Sequence, residues 1–225
     1  MAVWTKTVYK GGQGELTEKK SRFIATVCPV KTEEDALAFL ERMRKRYWDA
    51  RHNCYAYIIG EKQSCIRSSD DGEPQGTAGH PMLDVLTGEQ IYDVAVVVTR
   101  YFGGVLLGTG GLVRAYGGAV REGLKNSILI EKKKGMLVEI GVDYTGIGKL
   151  QYQAASEKIT VLDTEYADTV RVRVILEPER LERFRSAVMD ATGGKAGWTQ
   201  LGEACFAELG GRVLVGEELD RPNIS

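Results

Sequence analysis

Glycine is unusually dense between Arg100 and Gly118, where the sequence RYFGGVLLGTGGLVRAYGG holds seven glycines in nineteen residues. Glycine-rich loops before a helix bind phosphate, because their backbone N–H groups are free and the helix N-terminus is electropositive. Valines before the segment and an amphipathic pattern after it predict the required strand and helix. The candidate anion- or nucleic-acid-binding residues in the loop are Arg100, Gly103, Gly104, Gly108, Gly110 and Gly111.

The segment completes neither of the two glycine motifs that it approaches. Gly103 and Gly108 have the spacing of a P-loop, but Thr109 and Gly110 follow, so the lysine that neutralises phosphate is absent. The sequence GTGGLV begins like a dinucleotide fingerprint but has Val113 in place of the last glycine. Some of the glycines therefore serve to turn the strand sharply into a tightly packed helix.

The helix after the glycines is predicted to have an apolar face and a cationic face. The apolar face consists of Leu112, Tyr116, Ala119, Val120 and Leu124. The other side carries cations and glycines at helical spacing, namely Gly111, Arg114, Gly118, Arg121 and Lys125. Cations separated by small residues allow a phosphate backbone to approach closely. The alternative is that the glycines serve helix packing and the cations are only solvated.

A polar loop of thirteen residues, SDDGEPQGTAGHP, is the second unusual segment. Its candidate functional residues are Asp70, Asp71, Glu73 and Thr77. The carboxylates could bind Mg²⁺ or take part in catalysis. They could equally form turns, because Asp-Gly and Glu-Pro are turn dipeptides and Asp side chains accept from nearby backbone N–H groups. Arg100 could serve the anion site or brace this loop through Asp70 or Asp71.

The histidines and cysteines do not complete a metal site or a catalytic set. His52 and Cys54 are expected to share one face of a strand, with Cys65 on a neighbouring strand. A structural zinc site, however, favours four ligands at close paired spacing. Positions on the same strand also rarely allow the hydrogen bond of a Cys–His nucleophile pair. We therefore assign no catalytic residue, no metal and no cofactor.

The elements that position these residues divide into two units, 1–134 and 135–225, separated at the charged segment Glu131–Gly135. In the second unit the predicted order is β-α-β-β-α-β, the ferredoxin-like pattern. Its second helix begins at Pro178 and stops at Gly193. The fold class is α+β with two domains.

The first unit is less regular in its pattern. We predict a strand at about Phe23–Pro29, a helix capped by Thr32, a hairpin over residues 52–68, a short helix at 81–86 and a buried strand at 92–102. The apolar stripe predicted for the first helix consists of Leu37, Leu40, Met43 and Tyr47.

The composition is that of a globular chain that has no export signal at its start. The four cysteines are scattered, so we expect reduced thiols and a cytoplasmic location. No segment approaches the roughly 18 consecutive apolar residues of a membrane span. The net charge of −1 divides into +4 for residues 1–134 and −5 for residues 135–225. This split predicts two units with different surfaces.

Taken together, the two unusual segments resemble the YigZ/IMPACT family. SDDGEPQGTAGHPML is followed by VVVTRYFGGVLLGTGGLVRAYGGAV, and the earlier KKSRFIA and ARHNCYAYIIG fit the same pattern in order. The resemblance covers about residues 15–126. It implies a first domain of the βαβ superfamily that elongation factor G domain IV shares with the GHMP kinases. The bacterial branch carries a second, ferredoxin-like domain similar to an elongation factor domain.

The resemblance also implies a role in translation. Eukaryotic relatives regulate translation initiation by competing for the activator of a general-control stress kinase. They use an additional N-terminal domain, so that partner is not carried over to this chain. We expect a regulator of translation that binds RNA, the ribosome or a translation-associated protein. The alternatives are a phosphate- or nucleotide-binding, Mg²⁺-dependent enzyme, by analogy with GHMP kinases, and a protein–protein adaptor.

Overall fold

The computed structural model describes residues 5–60 and 64–220, which form two compact units. The units divide between Glu131 and Lys132, inside strand β8 (Ile128–Val142), and not in a loop. The charged segment Glu131–Gly135 is therefore a strand. Because Lys132, Lys133 and Lys134 belong to the second unit, the net charge of residues 5–131 is +1 and the charge contrast between the units is small.

The first unit has seven strands and three helices among its described residues. In chain order they are β1 (Thr5–Lys10), β2 (Gln13–Glu18), β3 (Ser21–Pro29), α1 (Glu33–Arg46), β4 (His52–Ile59), β5 (Cys65–Ser69), α2 (Gly79–Gly88), β6 (Ile91–Tyr92), β7 (Val94–Tyr101) and α3 (Thr109–Lys125). Five of the strands form an antiparallel sheet in the order β2-β3-β7-β4-β5. β1 pairs with β6 in parallel.

The central strand β7 is buried on both faces of this sheet. Val94, Val96 and Val98 pack towards α2 and α3, whereas Ala95 and Val97 pack towards α1. A strand covered by helices on both sides reads as a continuous apolar run, which explains the valines. The sheet register places Phe23 of β3 and His52 of β4 on either side of Arg100, at the end of β7.

Helix α1 begins as predicted, because Thr32 and Asp35 form a capping box. The Thr32 hydroxyl accepts from the Asp35 N–H at 3.1 Å, and the Asp35 carboxylate accepts from the Thr32 N–H at 3.1 Å. The predicted apolar stripe was wrong at one end, since Leu37 is 53% exposed. The residues that α1 buries are Ala36, Phe39, Leu40 and Met43.

The second unit has the ferredoxin-like topology that the sequence predicts. After β8 come α4 (Ile147–Ser156), β9 (Thr160–Tyr166), β10 (Val170–Leu176), α5 (Leu181–Thr192), β11 (Gly197–Leu209) and β12 (Arg212–Val215). Their antiparallel order is β12-β11-β8-β10-β9. The core lies between this sheet and the two helices, where Leu150, Phe184 and Val188 are buried.

Gly193 closes α5 in the left-handed conformation, with φ of 62°, as expected of a C-terminal glycine. Among the described residues, no helix is both long enough and apolar enough to cross a membrane.

Candidate functional site

The acidic loop between β5 and α2 is organised around the side chain of Asp70. Its Oδ1 accepts from the backbone N–H groups of Ala78 and Gly79, each at 2.9 Å, and its Oδ2 accepts from that of Gly76 at 2.7 Å. Burial opposes ionisation of this carboxyl, but the N–H donors outweigh burial and lower its pKa. Asp70 therefore fixes the loop and supplies N-terminal partners to α2.

Replacing Asp70 by asparagine is expected to lower the free energy of unfolding by about 1–3 kcal/mol, since an amide cannot accept on both sides of the group. Because the folded pKa is lowered, the stability from Asp70 is present above the unfolded pKa of about 3.9 and is lost as pH falls through the folded value. Urea unfolding between about pH 3 and pH 7 checks this. The variant should lose part of the acid-dependent fall in stability, whereas the exposed Asp84→Asn control should not.

Asp71 ties the same loop to the start of β4. Its Oδ2 accepts from the backbone N–H of Asn53 at 2.6 Å, and its carbonyl oxygen lies 2.9 Å from His52 Nδ1. Asn53 in turn accepts from the Thr99 hydroxyl at 2.7 Å. The ends of β4 and β7 and the acidic loop are thus joined by one continuous set of hydrogen bonds.

Glu73 and Arg100 form a buried ion pair beneath the loop. Arg100 Nη1 donates to Glu73 Oε1 at 2.6 Å, and the two side chains are 7% and 4% exposed. The Tyr116 hydroxyl of α3 donates to the same carboxylate oxygen at 2.8 Å. Arg100 thus braces the acidic loop, but through Glu73 and not through Asp70 or Asp71.

Arg100 is held by aromatic rings as well as by its carboxylate partner. Its guanidinium carbon lies 5.3 Å from the ring centre of Phe23 and 5.5 Å from that of Phe102. Nη2 is 3.4 Å from the Ser21 hydroxyl, which also accepts from the Gly103 N–H at 3.2 Å. This burial turns Arg100 away from solvent, so the exposed cations of the first unit are others.

Cys54 connects the buried Glu73, Arg100 and Tyr116 side chains to the loop backbone. Its thiol lies 3.0 Å from the Asp70 carbonyl oxygen and 3.3 Å from the Tyr116 hydroxyl. Burial raises the pKa of Cys54 to about 12, and burial likewise raises the pKa of Tyr116. Because the thiolate is the nucleophilic form, Cys54 is a structural thiol at neutral pH. Thr77 also serves the loop, since its hydroxyl donates to the Pro74 carbonyl at 2.6 Å.

Most of the glycines between residues 103 and 111 are required for different structural reasons. A Cβ on Gly103 would lie 2.0 Å from the Lys20 carbonyl carbon, and one on Gly111 would lie 2.9 Å from Leu107 Cβ. Gly104 and Gly108 have φ of +83° and +74°, which favours glycine. Gly110 has no such reason, because a Cβ there would meet only the tip of Arg114 at 3.8 Å.

Helix α3 has the two faces that its sequence predicts. The five residues assigned to the apolar face are all buried: Leu112, Tyr116, Ala119, Val120 and Leu124. The three cations, Arg114, Arg121 and Lys125, are exposed. Lys125 lies 3.8 Å from Glu122, whereas Arg114 and Arg121 form no ion pair with any residue that the structure describes. Gly118 packs against Leu16 of β2, so it brings α3 close to the sheet edge.

The loop before α3 exposes large apolar side chains at the N-terminal end of the helix, where Arg114 is the first of these cations. Leu106 is 82% exposed, and Phe102, Val105 and Val113 are also exposed. The N-terminus of α3 receives no side-chain cap, and Thr109 and Gly110 in its first turn are exposed. We call the exposed residues 102–114, together with Arg121 and Lys125, the loop–helix surface. A surface that combines exposed apolar groups with cations is typical of an interaction site.

The sequence-predicted residues thus fall into two separate groups. The first group, which we call the buried cluster, consists of the buried Glu73, Thr77 and Arg100 with the half-buried Asp70 and Asp71. The loop glycines and the α3 cations belong to the loop–helix surface. Within residues 5–60 and 64–220, no three His, Cys, Asp or Glu side chains are close enough to hold a metal ion. Sequence reasoning missed the parts of Tyr116, Cys54 and Ser21 in the buried cluster. A buried tyrosine hydroxyl needs a partner, and this was the available signal.

Comparison with known protein families supports the two-unit division. The family model of the Impact N-terminal domain matches residues 19–124, and that of a domain of unknown function (DUF1949) matches residues 140–195. The IMPACT family member YvyE of Bacillus subtilis is 40% identical over 190 residues, which are 84% of this chain and 88% of that protein. YigZ of Escherichia coli is 39% identical over 183 residues, which are 78% and 87% of the two chains.

More distant relatives match a shorter part of the chain. Mouse Protein IMPACT is 37% identical over 98 residues, which are 41% of this chain and 30% of that protein. Among solved structures, the crystal structure of a hypothetical protein superposes with a TM-score of 0.56 at 32% identity. The match covers 87% of this chain and 96% of that chain.

Proposed function

This chain belongs to the IMPACT family, and we propose that it is a regulator of translation that acts by binding RNA, in particular RNA on the ribosome. The observation that carries the proposal is the loop–helix surface, where exposed apolar side chains precede a helix that carries three exposed cations. Two of these cations, Arg114 and Arg121, form no ion pair with any residue that the structure describes. Cations and uncapped helix N-termini bind phosphate groups. Exposed apolar loop residues favour contact with a structured partner surface.

The buried cluster favours a binding function over catalysis. Asp70 and Asp71 accept from backbone N–H groups, and Glu73 is engaged by Arg100 and Tyr116. Carboxylates held in this way are occupied by the fold itself, so they are poor candidates for Mg²⁺ ligands or for a general base. The cluster instead braces the end of β7, from which the loop–helix surface begins.

The overall charge gives this proposal little support, because residues 5–131 carry a net charge of only +1. Binding to RNA must therefore come from the local arrangement of Arg114, Arg121 and Lys125, and not from a broadly positive domain. Such an interface contains few phosphate contacts, so its salt dependence should be shallow but measurable.

We expect the purified protein to pellet with ribosomes at about 50 mM salt and to be released at about 300 mM. Replacing Arg114 by glutamate should weaken pelleting and reduce the slope of log affinity against log salt by about 1. The matched control is Arg185→Glu on α5, which makes the same charge change at another exposed arginine. Pelleting that resists salt, or that both variants weaken equally, would contradict a specific contact at α3.

A further inference from the structure

Trp48 is the most exposed large apolar residue of the described chain, at 83%. It lies two residues after Arg46, the last residue of α1, in the sequence ERMRKRYWDAR, Glu41–Arg51. Tryptophan is usually well buried and finds a partner for its ring or its N–H. Among the residues that the structure describes, Trp48 forms no hydrogen bond and no ring contact. The fold therefore gives no reason for a tryptophan at this position.

The turn that carries Trp48 is itself held firmly. The Ala50 N–H donates to the Tyr47 carbonyl at 3.0 Å, so Trp48 and Asp49 are the two corner residues of a β-turn. The Tyr101 hydroxyl of β7 donates to Asp49 Oδ1 at 2.8 Å, which ties the corner to the sheet. An indole on such a corner is presented to solvent on a fixed backbone. A platform of this kind loses little entropy when a flat ligand stacks on it.

Cations surround this indole in the sequence. Residues 41–51 contain five of them, Arg42, Arg44, Lys45, Arg46 and Arg51, against two acids. Lys45 is 3.4 Å from Glu41, whereas Arg44 and Arg51 are exposed and pair with no acid among the described residues. Cations in the last turn of α1 complement the helix dipole. That explanation does not extend to Arg51, which lies beyond the helix.

We infer that this corner is a binding site for single-stranded RNA, in which an unpaired base stacks on Trp48 and the flanking arginines contact phosphate. Exposed aromatic rings with neighbouring cations are the usual means of binding single strands, because every base has a face that can stack. An acidic peptide would satisfy the arginines but would leave the indole unused. The choice of RNA over DNA rests on the proposed function. The site itself is distinct from the loop–helix surface, since α1 packs on the opposite face of the sheet from α3.

The test uses the full chain and a fluorescein-labelled ten-nucleotide oligouridine, followed by fluorescence anisotropy at about 50 mM salt. Trp48→Ala should weaken binding at least about fivefold, and Trp48→Phe should keep most of the affinity, because a phenyl ring still stacks. Arg44→Glu with Arg51→Glu should also weaken binding and flatten its salt dependence. Leu37→Ala, at an exposed apolar residue on α1 itself, is the control and should bind like the parent.

Several outcomes would overturn the inference. The oligouridine could fail to bind, or Trp48→Ala could bind within twofold of the parent. If Trp48→Ala weakened the binding of the same sequence in a duplex by the same factor, no unpaired base would stack on Trp48. Stronger binding of the equivalent oligothymidine DNA would assign the site to single-stranded DNA and not to RNA. Comparing Trp48→Ala with Arg114→Glu separates the two proposals. Trp48→Ala should weaken oligouridine binding more than Arg114→Glu does, and Arg114→Glu should weaken ribosome pelleting more than Trp48→Ala does.

Discussion

Replacing Glu73 by alanine is expected to lower the free energy of unfolding of the first unit by about 3–5 kcal/mol. The reason is that Arg100 would stay buried and charged while losing its carboxylate. Its remaining polar contact would be the Ser21 hydroxyl at 3.4 Å. The Tyr116 hydroxyl would lose its acceptor in the same step. Urea unfolding of the full chain, with hydrogen exchange followed within residues 5–131, measures the effect in the correct unit.

Two comparisons separate the loss of the ion pair from a general cost of truncation. Glu41→Ala removes an exposed ion pair with Lys45 and should cost less than about 1 kcal/mol. Arg100→Met combined with Glu73→Leu and Tyr116→Phe removes the charges and the orphaned hydroxyl together. This triple variant should recover most of the lost stability, because well-packed apolar groups replace buried ion pairs at little cost. A triple variant as unstable as Glu73→Ala would show that the pair is not the cause.

The loop acids, Thr77 and Arg100 of the buried cluster could be singled out from the sequence, but Tyr116, Cys54 and Ser21 and the pairing of the side chains could not. From the sequence, Arg100 could serve an anion site or brace the acidic loop through Asp70 or Asp71, and the sequence did not decide between them. The fold instead turns Asp70 towards the N–H groups of its own loop and places Glu73 under Tyr116. Which carboxylate faces inward depends on backbone turns at Asp71 and Gly72, which have φ of +40° and +86°. Residue spacing alone does not encode those turns.

Helical and strand patterns predicted the central elements well and the edges poorly. The ferredoxin-like order of the second unit and the buried faces of α3 follow from clear periodicity. Strands β1 and β2 were missed because the segment Thr5–Glu18 has little alternation, and β2 is in addition the edge strand of its sheet. The polar, charged segment Glu131–Gly135 was predicted as the boundary between the two units. In the structure it continues a fifteen-residue strand whose side chains are mostly half-buried or exposed.

Replacement by alanine is expected to have opposite effects on stability at two glycines of the glycine-rich segment, Gly103 and Gly110. Gly103→Ala should destabilise the first unit by about 3 kcal/mol or more, because its Cβ would meet the backbone at Lys20, which cannot move as a side chain can. Displacement of the Lys20 backbone would also disturb Ser21, which accepts from the Gly103 N–H and contacts Arg100. Gly110→Ala should stabilise α3 by about 0.5–1 kcal/mol, since the site is open and alanine is the better helix former.

Thermal unfolding of the two variants, made in the same background, checks both signs at once. The pair also tests why this chain carries so many glycines. If packing were the only reason, Gly110 would show the same loss as Gly103, which would contradict the open space at that residue. If Gly110→Ala is more stable yet pellets less with ribosomes, the glycine is retained for contact at the α3 N-terminus and not for folding. A stable variant with unchanged pelleting would assign that contact to the side chains of Arg114, Arg121 and Lys125.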